Sequence, residues 1–484
     1  MSTQTESTPP QPAPRGVERR TIDIIPAEER HGTPFSQFTL WMGANLQITA
    51  IVDGALAVVF GADALWAIIG LLLGNLLGGI VMALHSAQGP RLGLPQMISS
   101  RAQFGVYGAI VPLVLVIVMY LGFTATGTVL AGQAINELLD VEARSIGIVI
   151  FVAIVAVIAI VGYRWIHAVG RFASVLGILG LAYLAIELVR QHDVSAAFAG
   201  NQFDVVTFLL AVSLAAGWQL TYGPYVADYS RYLPAATSQR SVFWWTYSGS
   251  VIGSQLSMTF GAIVAAVAGD AFLPNQVGWL GGLASTALVA GLIYALIVVG
   301  KLTVTCLNAY GSFMCAATIT TAVTGRRTIG TNARAVFVVA MLVASMGIAI
   351  WASADFLTNF RNFVLLLLMV FTPWSAINLT DYYLVSKEKV DIPALYDPHG
   401  RYGSWNMIAI TTYVGGVLVQ VPFLAQSLYT GPVTKALGGA DISWIVGLLG
   451  TALIYYVWAR KTTKPPAQMI YPDDVEIVAD RRAP

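Results

Sequence analysis

The sequence has little charge. Only 11% of its 484 residues are Asp, Glu, Lys or Arg, against about 25% in ordinary soluble domains, and the formal net charge is +1. So few charges exclude a water-soluble fold of several domains, and the small net charge provides no field for holding nucleic acid. Because 56% of the residues are hydrophobic, the composition predicts a polytopic membrane protein that contacts the lipid bilayer.

Cysteine is nearly absent. Cys306 and Cys315 lie in one apolar segment, about 13 Å apart along a helix, which is too far for a disulfide. Zinc and haem spacings are also missing, so no resident cofactor is expected. The polar, proline-rich N-terminus lacks the apolar core of a cleaved signal peptide, and the first helix is therefore expected to act as its own insertion signal.

Long apolar runs are abundant. A run of about 20 apolar residues is long enough to cross a bilayer as a helix. Twelve such segments are predicted, at 36–60, 64–84, 106–136, 145–163, 168–190, 204–228, 243–268, 284–312, 335–353, 357–384, 405–427 and 442–460. An even number of spans places both termini on the same side of the membrane.

The basic residues select that side. With the N-terminus inside, the inner loops hold Arg91, Arg101, Arg164, Arg171, Arg231, Arg240, Arg326, Arg327, Arg334, Lys387, Lys389 and Arg401. The outer loops hold only Arg144, Arg190, Arg361 and Lys435. Because Lys and Arg accumulate in cytoplasmic loops, the tails 1–35 and 461–484 are both predicted to be cytoplasmic, and the protein is expected in the cell membrane.

Two segments carry helix-breaking or polar residues at matching places. Segment 1 has five polar or flexible positions in an apolar run: Gly43, Asn45, Gln47, Thr49 and Asp53. Segment 6 is interrupted by Gly217, Gly223 and Pro224. Unpaired backbone groups persist in a membrane only where they line a cavity or meet a ligand. Glycine and proline are also common in ordinary transmembrane helices, but a matched pair of interrupted helices is typical of transporters built from inverted repeats.

We therefore predict an all-α polytopic membrane protein of about 12 transmembrane helices. Its fold is a five-plus-five inverted repeat in which helices 1 and 6 are broken. The first repeat is expected at 36–190 and the second at 204–384, followed by helices 11 and 12 at 405–460.

Four blocks of sequence resemble the nucleobase:cation symporter-1 (purine–cytosine permease) family. They are Arg30–Thr49, Gly89–Gly105, Ala227–Pro234 and Ile377–Leu384. The resemblance extends from about residue 19 to residue 462. It implies the inverted-repeat fold of the amino-acid/cation transporters, and transport of a flat heterocycle together with a cation, which is a proton or sodium.

A nucleobase site needs aromatic faces and groups that read the edge of the base. In segment 6, Trp218 and Gln219 fall at the predicted break, after Gly217 and one turn before Tyr222. The resemblance implies that this stretch supplies a stacking aromatic ring and backbone contacts. The alternative is that Trp218 only packs against its neighbours.

Segment 3 matches the family loosely. Tyr120, Thr124 and Thr128 share one helical face. The family commonly has Trp followed four residues later by Gln or Asn, where this chain has Tyr120 and Thr124. We therefore expect a second aromatic ring that stacks on the base, but no amide side chain beside it to read the edge of the base. The alternative is that the threonine hydroxyls bond back to their own helix.

Segment 8 places Lys301, Thr305, Asn308 and Ser312 on one face. The resemblance implies that Asn308 reads the base. It also implies a pair of hydroxyl residues in sodium-coupled members, and these align here with Thr303 and Val304. Because one oxygen ligand is lost, a sodium site would be weakened.

Lys301 is an ammonium group within an apolar run, which is costly unless it is paired or neutral. Burial favours the neutral amine, so Lys301 is a candidate proton carrier. Our hypothesis is that Lys301 stands in for sodium near the segment 1 break and that transport is proton-coupled. The alternatives are a lysine that extends into a solvated cavity or pairs with Asp53.

The remaining candidate residues lie around the breaks and at the cytoplasmic helix ends. Ala44 and Asn45 are expected to contribute to cation coupling together with Lys301, Thr303 and Thr305, and Gln47 is expected to contact the base. A sodium ion, if one is used, would lie at Ala44 and Thr303. At the cytoplasmic ends, we expect a gating role for Asp228, Arg231 and Asp381, with surface ion pairs as the alternative.

The sequence thus predicts a secondary active transporter that imports a nucleobase, cytosine or a purine first, by alternating access. The runner-up substrates are hydantoin, allantoin and uracil. An integral membrane enzyme is disfavoured, because the membrane segments lack the clustered carboxylates of a metal–phosphate site. No oligomeric state is predicted.

Overall fold

The computed structural model describes residues 22–161, 163–325, 330–427 and 429–472, with side chains except those of 159–174 and 331. Thirteen principal helices run through this part of the chain: α1 Phe35–Asn45, α2 Ile48–Val59, α3 Ala64–Leu92, α4 Ile110–Leu139, α5 Arg144–Val161, α6 Tyr163–Gln191, α7 Val205–Leu220, α8 Gln239–Ala268, α9 Ala287–Thr324, α10 Thr331–Ala352, α11 Phe356–Leu379, α12 Met407–Gln420 and α13 Ser443–Thr462. Shorter helices are Gln96–Ser99, Arg101–Phe104, Ala227–Ser230, Gln276–Gly282 and Pro432–Ala436.

These helices account for the apolar runs of the sequence. Each of the twelve predicted segments contains one helix, except that the first contains the bent pair α1 and α2. Five described stretches are long and apolar enough to cross a membrane, and one of them covers both α10 and α11; the bent pair adds a sixth. The chain is therefore a multi-pass helical membrane protein.

Three predicted boundaries were wrong. Helix α3 continues to Leu92 instead of ending at residue 84, and α9 continues to Thr324 instead of residue 312, whereas α12 ends at Gln420 instead of residue 427. Helices α3 and α9 outrun the apolar pattern because polar residues at the places where that pattern stops are buried inside the protein. For example, His85 and Ser312 are completely buried.

Helix packing follows the five-plus-five repeat. Helix α3 packs along α7, and its counterpart in the second half, α8, packs along α1 and α2. Helices α4 and α9, which also correspond, pack against each other, while α12 and α13 pack together and against α11. The fold is thus the expected inverted repeat, while the division at 190 and 204 stays a prediction.

Glycine makes the closest of these contacts possible. A Cβ atom on Gly261 of α8 would overlap the carbonyl oxygen of Ile51, and one on Gly54 of α2 would overlap the backbone of Met258. Small residues allow transmembrane backbones to approach in this way. As a result α2, the second half of the broken segment 1, is held tightly along α8.

Both described ends of the chain lie at the same end of the bundle. The Tyr396 hydroxyl donates to the carbonyl oxygen of Ile22 (2.6 Å), and the Tyr471 hydroxyl donates to that of Arg91 (2.9 Å). This agrees with an even number of spans. The residues 1–21 and 473–484 of the two predicted tails, and the Arg326–Arg327 pair, lie outside the described residues.

Candidate functional site

Segment 1 is broken where the sequence predicts. Helix α1 ends at Asn45, α2 begins at Ile48, and the two axes differ by 61°. Between them Gln47 has an extended backbone (φ −147°, ψ 158°). Its side-chain amide donates to the carbonyl oxygen of Ala44 (2.8 Å), so the side chain of the linker satisfies a backbone group that the break exposes.

Segment 6 is broken one turn later than expected. Helix α7 continues through Gly217 to Leu220, and turns over 221–226 contain Gly223 and Pro224. The prediction that Gly217 interrupts the helix, with Trp218 at the break, was wrong. A glycine inside a helix costs only about 1 kcal/mol, and here a Cβ atom would lie 3.1 Å from the Val364 side chain.

Asn45 joins the two breaks. Its Nδ2 donates to the carbonyl oxygen of Trp41 (2.7 Å) and to Ser250 Oγ (3.2 Å). Its Oδ1 accepts from Trp218 Nε1 (2.6 Å) and from the Tyr222 hydroxyl (3.0 Å). An asparagine side chain can make four hydrogen bonds, and all four are used. No lone pair of the side chain is therefore left for an ion, and the expected part of Asn45 in cation coupling, through backbone carbonyl groups freed at the break, stays a prediction.

Gln219 is also occupied by protein partners. Its Nε2 donates to Asn75 Oδ1 (3.0 Å) and Ser254 Oγ (2.8 Å), and its Oε1 accepts from Ser250 Oγ (2.7 Å). The side chain is completely buried where α3, α7 and α8 meet. Both amide hydrogens are used within the protein, and the expected part of Gln219 in substrate binding stays a prediction.

Trp218 and Tyr222 keep their rings inside the bundle. The Trp218 ring meets Phe123 of α4 edge to face, with centroids 5.9 Å apart, and meets Tyr222 in the same way at 6.0 Å. Tyr120 of α4 lies 5.6 Å from Tyr225. The two predicted aromatic faces thus belong to one aromatic cluster that connects α4 with the break in segment 6.

Lys301 lies at the break in segment 1. The side chain is 3% exposed, and its Nζ donates to Gln47 Oε1 (2.7 Å) and to Thr49 Oγ1. The alternative of a pair with Asp53 is not seen, because neither Asp53 oxygen has a hydrogen-bond partner among the described residues. Thr305, one turn along α9, is buried beside Gly127 of α4.

A cavity of about 720 Å³ lies beside the same break. It is lined by α1, α2, α6 and α9, mostly with apolar side chains, and Ala44, Gln47, Lys301 and Thr303 reach it. The two residues expected at a sodium site therefore line one cavity. However, Thr303 Oγ1 donates to the carbonyl oxygen of Val299 (3.1 Å), and the Ala44 carbonyl oxygen already accepts from Gln47.

The interface of α4 and α9 contains buried polar groups without partners. A Cβ atom on Gly311 would lie against the Tyr120 ring, and one on Gly127 would lie 3.3 Å from Lys301 Cδ. Because α4 and α9 pack against each other through these positions, Thr124 lies at the same height in the bundle as Asn308. Four buried atoms of the interface have no hydrogen-bond partner in the described structure: Thr124 Oγ1, Thr128 Oγ1, Asn308 Nδ2 and Ser312 Oγ. The alternative that both threonines bond back to their helix is wrong.

The sequence matches a model for permeases of cytosine/purines, uracil, thiamine and allantoin over residues 24–447. The putative purine-cytosine permease YxlA of Bacillus subtilis is 37% identical over 452 residues, which cover 93% of this chain and 98% of YxlA.

The chain belongs to the nucleobase:cation symporter-1 family.

Two further matches fit this assignment. The purine-cytosine permease FCY22 of Saccharomyces cerevisiae is 25% identical to this symporter-family chain, covering 92% of it and 85% of FCY22. Among solved structures, the inward-facing conformation of Mhp1 superposes with a TM-score of 0.75 at 18% identity, covering 97% of this chain and 99% of Mhp1. YxlA and FCY22 are both named as permeases, in keeping with a transporter.

The three residues expected to form a gate, Asp228, Arg231 and Asp381, lie in a buried polar network. Asp228 Oδ1 accepts from the backbone N–H of Gln96 (2.7 Å). Asp381 is 2% exposed and accepts from Gln103 Nε2 (3.2 Å) and the Tyr455 hydroxyl (3.0 Å). Arg231 is 1% exposed. The alternative of surface ion pairs is therefore wrong for Arg231 and Asp381, and their gating role stays a prediction.

Two buried clusters of polar side chains were not predicted from the sequence. One cluster consists of the polar side chains that bind Gln219. The sequence features that could have predicted it are Asn75 within an apolar run and two serines four residues apart in segment 7. The other is His85, whose ring stacks on Trp374 with centroids 4.7 Å apart and whose Nδ1 lies 3.2 Å from Gln96 Nε2. The predicted segment 64–84 stops just before His85, because the apolar run ends there.

Proposed function

We propose that this protein imports a nucleobase, cytosine or a purine first, by cation symport with alternating access. The observation that carries the proposal is the α4–α9 interface, where four buried polar side-chain atoms have no hydrogen-bond partner among the described residues and lie beside aromatic rings of α4 and segment 6. Buried polar groups are nearly always hydrogen-bonded. Hydroxyl and amide groups left unpaired next to aromatic faces fit a flat heterocycle with donors and acceptors at its edge.

Within this site, Asn308 reads the base, Tyr120, Trp218 and Tyr222 supply aromatic surface, and Gln47 contacts the base from the break. Thr124 takes the place of the amide reader that the resemblance implies. A hydroxyl group can both donate and accept, so Thr124 tolerates either edge pattern. This departure admits the second candidate substrates, hydantoin, allantoin and uracil, beside cytosine and the purines.

We further propose that the coupled cation is a proton and that Lys301 takes the place of sodium. The contacts of its ammonium group support this, because Lys301 donates to the Gln47 and Thr49 side chains at the break, where a free cation would otherwise meet oxygen atoms. The alternative is a sodium ion at Ala44 and Thr303. The protein would lie in the cell membrane with both termini in the cytoplasm, the orientation that the basic residues predict.

The test is uptake of labelled cytosine into proteoliposomes under a pH gradient or a sodium gradient, each imposed alone. We expect accumulation with the pH gradient and none with sodium. Unlabelled adenine, hypoxanthine, uracil, hydantoin and allantoin compete in the same assay and rank the substrates. Sodium-driven accumulation would overturn proton coupling, and the absence of cytosine uptake and purine binding would give the second candidates first place.

Lys301→Met tests the coupling residue. We expect this variant to lose accumulation driven by pH, because a thioether cannot supply the charge at the break, while Lys435→Met, a change at an exposed lysine, behaves as the wild type. If Lys301→Met still accumulates cytosine against a gradient, Lys301 is not the coupling residue.

A further inference from the structure

Asp53 is a carboxyl group buried in the middle of α2. Its exposed fraction is 0%, and neither oxygen has a hydrogen-bond partner in the part of the chain that the structure describes. Thr49 lies four residues earlier on the same helix, about 6 Å along its axis, and accepts from Lys301 Nζ. An unpaired carboxyl group therefore lies one helical turn from an ammonium group that has only neutral partners.

Both residues face the interior of the bundle. The side of α2 that packs on α8 is marked by Ile51 and Gly54, which meet Gly261 and Met258. At 100° per residue, Asp53 and Thr49 point away from that side. The carboxyl group is thus turned from the α8 contact, on the same side of α2 as the Thr49 hydroxyl that holds Lys301.

Few ionisable groups surround Asp53. Tyr222 beyond α7 is within electrostatic reach of Asp53, and Lys301 of α9 is held one helical turn away, at Thr49. On the other elements packed against α2 or the cavity, the polar and charged groups include Asn75 on α3, Thr124 and Thr128 on α4, Ser257 on α8, Glu187 on α6, which accepts from Arg190 and Gln191, and Arg361 on α11, which lies over the Phe60 ring. Of these described groups, Lys301 is the cation placed at the Asp53 side of α2 through its contact with Thr49.

We propose that Asp53 carries the transported proton and that Lys301 is its exchangeable counter-charge. This deepens the proton coupling proposed above and rests on it. In the loaded state Asp53 is a neutral acid and Lys301 is held by Gln47 and Thr49. In the empty state the O–H bond of Asp53 has broken, its proton has passed to water, and the Lys301 ammonium has moved one turn to pair with the carboxylate.

The charges explain why both states are favourable. An ionised carboxylate without a partner is very costly to bury, so Asp53 is neutral whenever Lys301 stays at Thr49. Once the proton leaves, the new carboxylate attracts the nearest cation, and an ion pair offsets the cost of burial. Each state therefore fixes the position of the Lys301 side chain.

Movement of Lys301 connects the proton to the substrate. In the loaded state the ammonium group orients Gln47, whose Nε2 in turn holds the Ala44 carbonyl oxygen. Loss of the proton removes Lys301 from Gln47, so the break loses one of its fixed contacts. Protonation of Asp53 thus favours the ordered break, and by linkage substrate binding favours protonation.

The experiment compares cytosine binding and transport by the wild type, Asp53→Asn and Asp53→Glu. Wild-type affinity should fall about tenfold per pH unit on the alkaline side of the carboxyl titration, since one proton is linked to one substrate. The Asp53→Asn affinity should not change with pH. That variant should exchange internal for external cytosine but fail to accumulate it under a pH gradient. Asp140→Asn, at an exposed helix end, is the matched control and should behave as the wild type.

The outcomes separate this inference from the proposed function. Proton-driven accumulation by Asp53→Asn, with the wild type also proton-driven, would overturn the role of Asp53 and leave proton symport intact. A wild type that ignores the pH gradient would overturn both. If Asp53→Asn does not fold, Asp53→Glu provides the test, because its carboxyl group is displaced by one methylene group. An unchanged pH dependence of the affinity of Asp53→Glu for cytosine would exclude residue 53 as the proton site.

Discussion

At the scale of single residues, the number of used hydrogen bonds separates structural from functional polar groups. Asn45 and Asn308 are both buried asparagines in membrane helices, and the sequence marks both as site residues. The four bonds of the Asn45 amide go to protein atoms, whereas Nδ2 of Asn308 has no partner among the described atoms. Asn45 therefore stabilises the fold, and Asn308 is free to bind a ligand.

Asn45→Ala should lower the stability of the protein. The change leaves the Trp218 N–H and the Tyr222 hydroxyl buried without an acceptor, which lowers the free energy of unfolding by about 1–3 kcal/mol each. This loss is smaller where polar groups of membrane helices find other partners. Thermal unfolding of the purified protein in detergent measures this. Thr39→Val, at an exposed position of the same helix, is the control, and an unchanged melting temperature for Asn45→Ala would contradict the assignment.

Asn308→Ala should weaken substrate binding and leave the stability of the protein nearly unchanged. Because the Nδ2 group satisfies no protein acceptor, we expect little change in melting temperature but a loss of affinity for cytosine of about 10- to 100-fold, the equivalent of one hydrogen bond to the base. Equilibrium binding of labelled cytosine checks this. Unchanged affinity would remove Asn308 from the site.

At the scale of helices, the sequence located the breaks and the structure fixed their register. Segment 1 breaks at Leu46 and Gln47, in the middle of the polar residues that predicted it. Segment 6 breaks after Leu220, since Gly217 serves close packing against α11 and only the later pair, Gly223 and Pro224, interrupts the helix. Composition alone does not separate a glycine that packs from one that breaks.

Gly261→Ala should destabilise the contact of α2 with α8. The added methyl group overlaps the Ile51 carbonyl oxygen, and overpacking of this kind costs about 1–3 kcal/mol. Gly415→Ala in α12 is the matched control, because a Cβ atom there meets nothing within 4 Å and alanine is the better helix former. Melting temperatures should therefore fall for the first variant and hold or rise for the second; equal values would contradict the packing argument.

At the scale of the whole molecule, both described ends of the chain are fixed to one end of the bundle through Ile22 and Tyr471. Green fluorescent protein fused to either terminus should fluoresce in the cytoplasm, and alkaline phosphatase fused after Ala143, between α4 and α5, should be active outside. The physical reason is the excess of basic residues in the loops on the side of the termini. Active phosphatase at a terminus would reverse the orientation.

The sequence by itself determined the class, the repeat and the family. Low charge and long apolar runs leave a multi-pass helical protein as the solution, since every backbone group in lipid must be bonded within its own helix. Interruptions at matching positions gave the inverted repeat, and local motifs carried the family resemblance. These signals lie within single segments, so no contact between helices was needed to find them.

Only the tertiary structure decided which polar residues are free. Asn45, Gln219 and Lys301 are alike in the sequence, each a polar residue within an apolar run. Their partners come from helices that are distant along the chain: Ser250 for Asn45, Asn75 for Gln219, and Gln47 for Lys301. Whether a buried amide is satisfied depends on these long-range contacts, because hydrogen bonding acts over about 3 Å of space and not over distance in sequence.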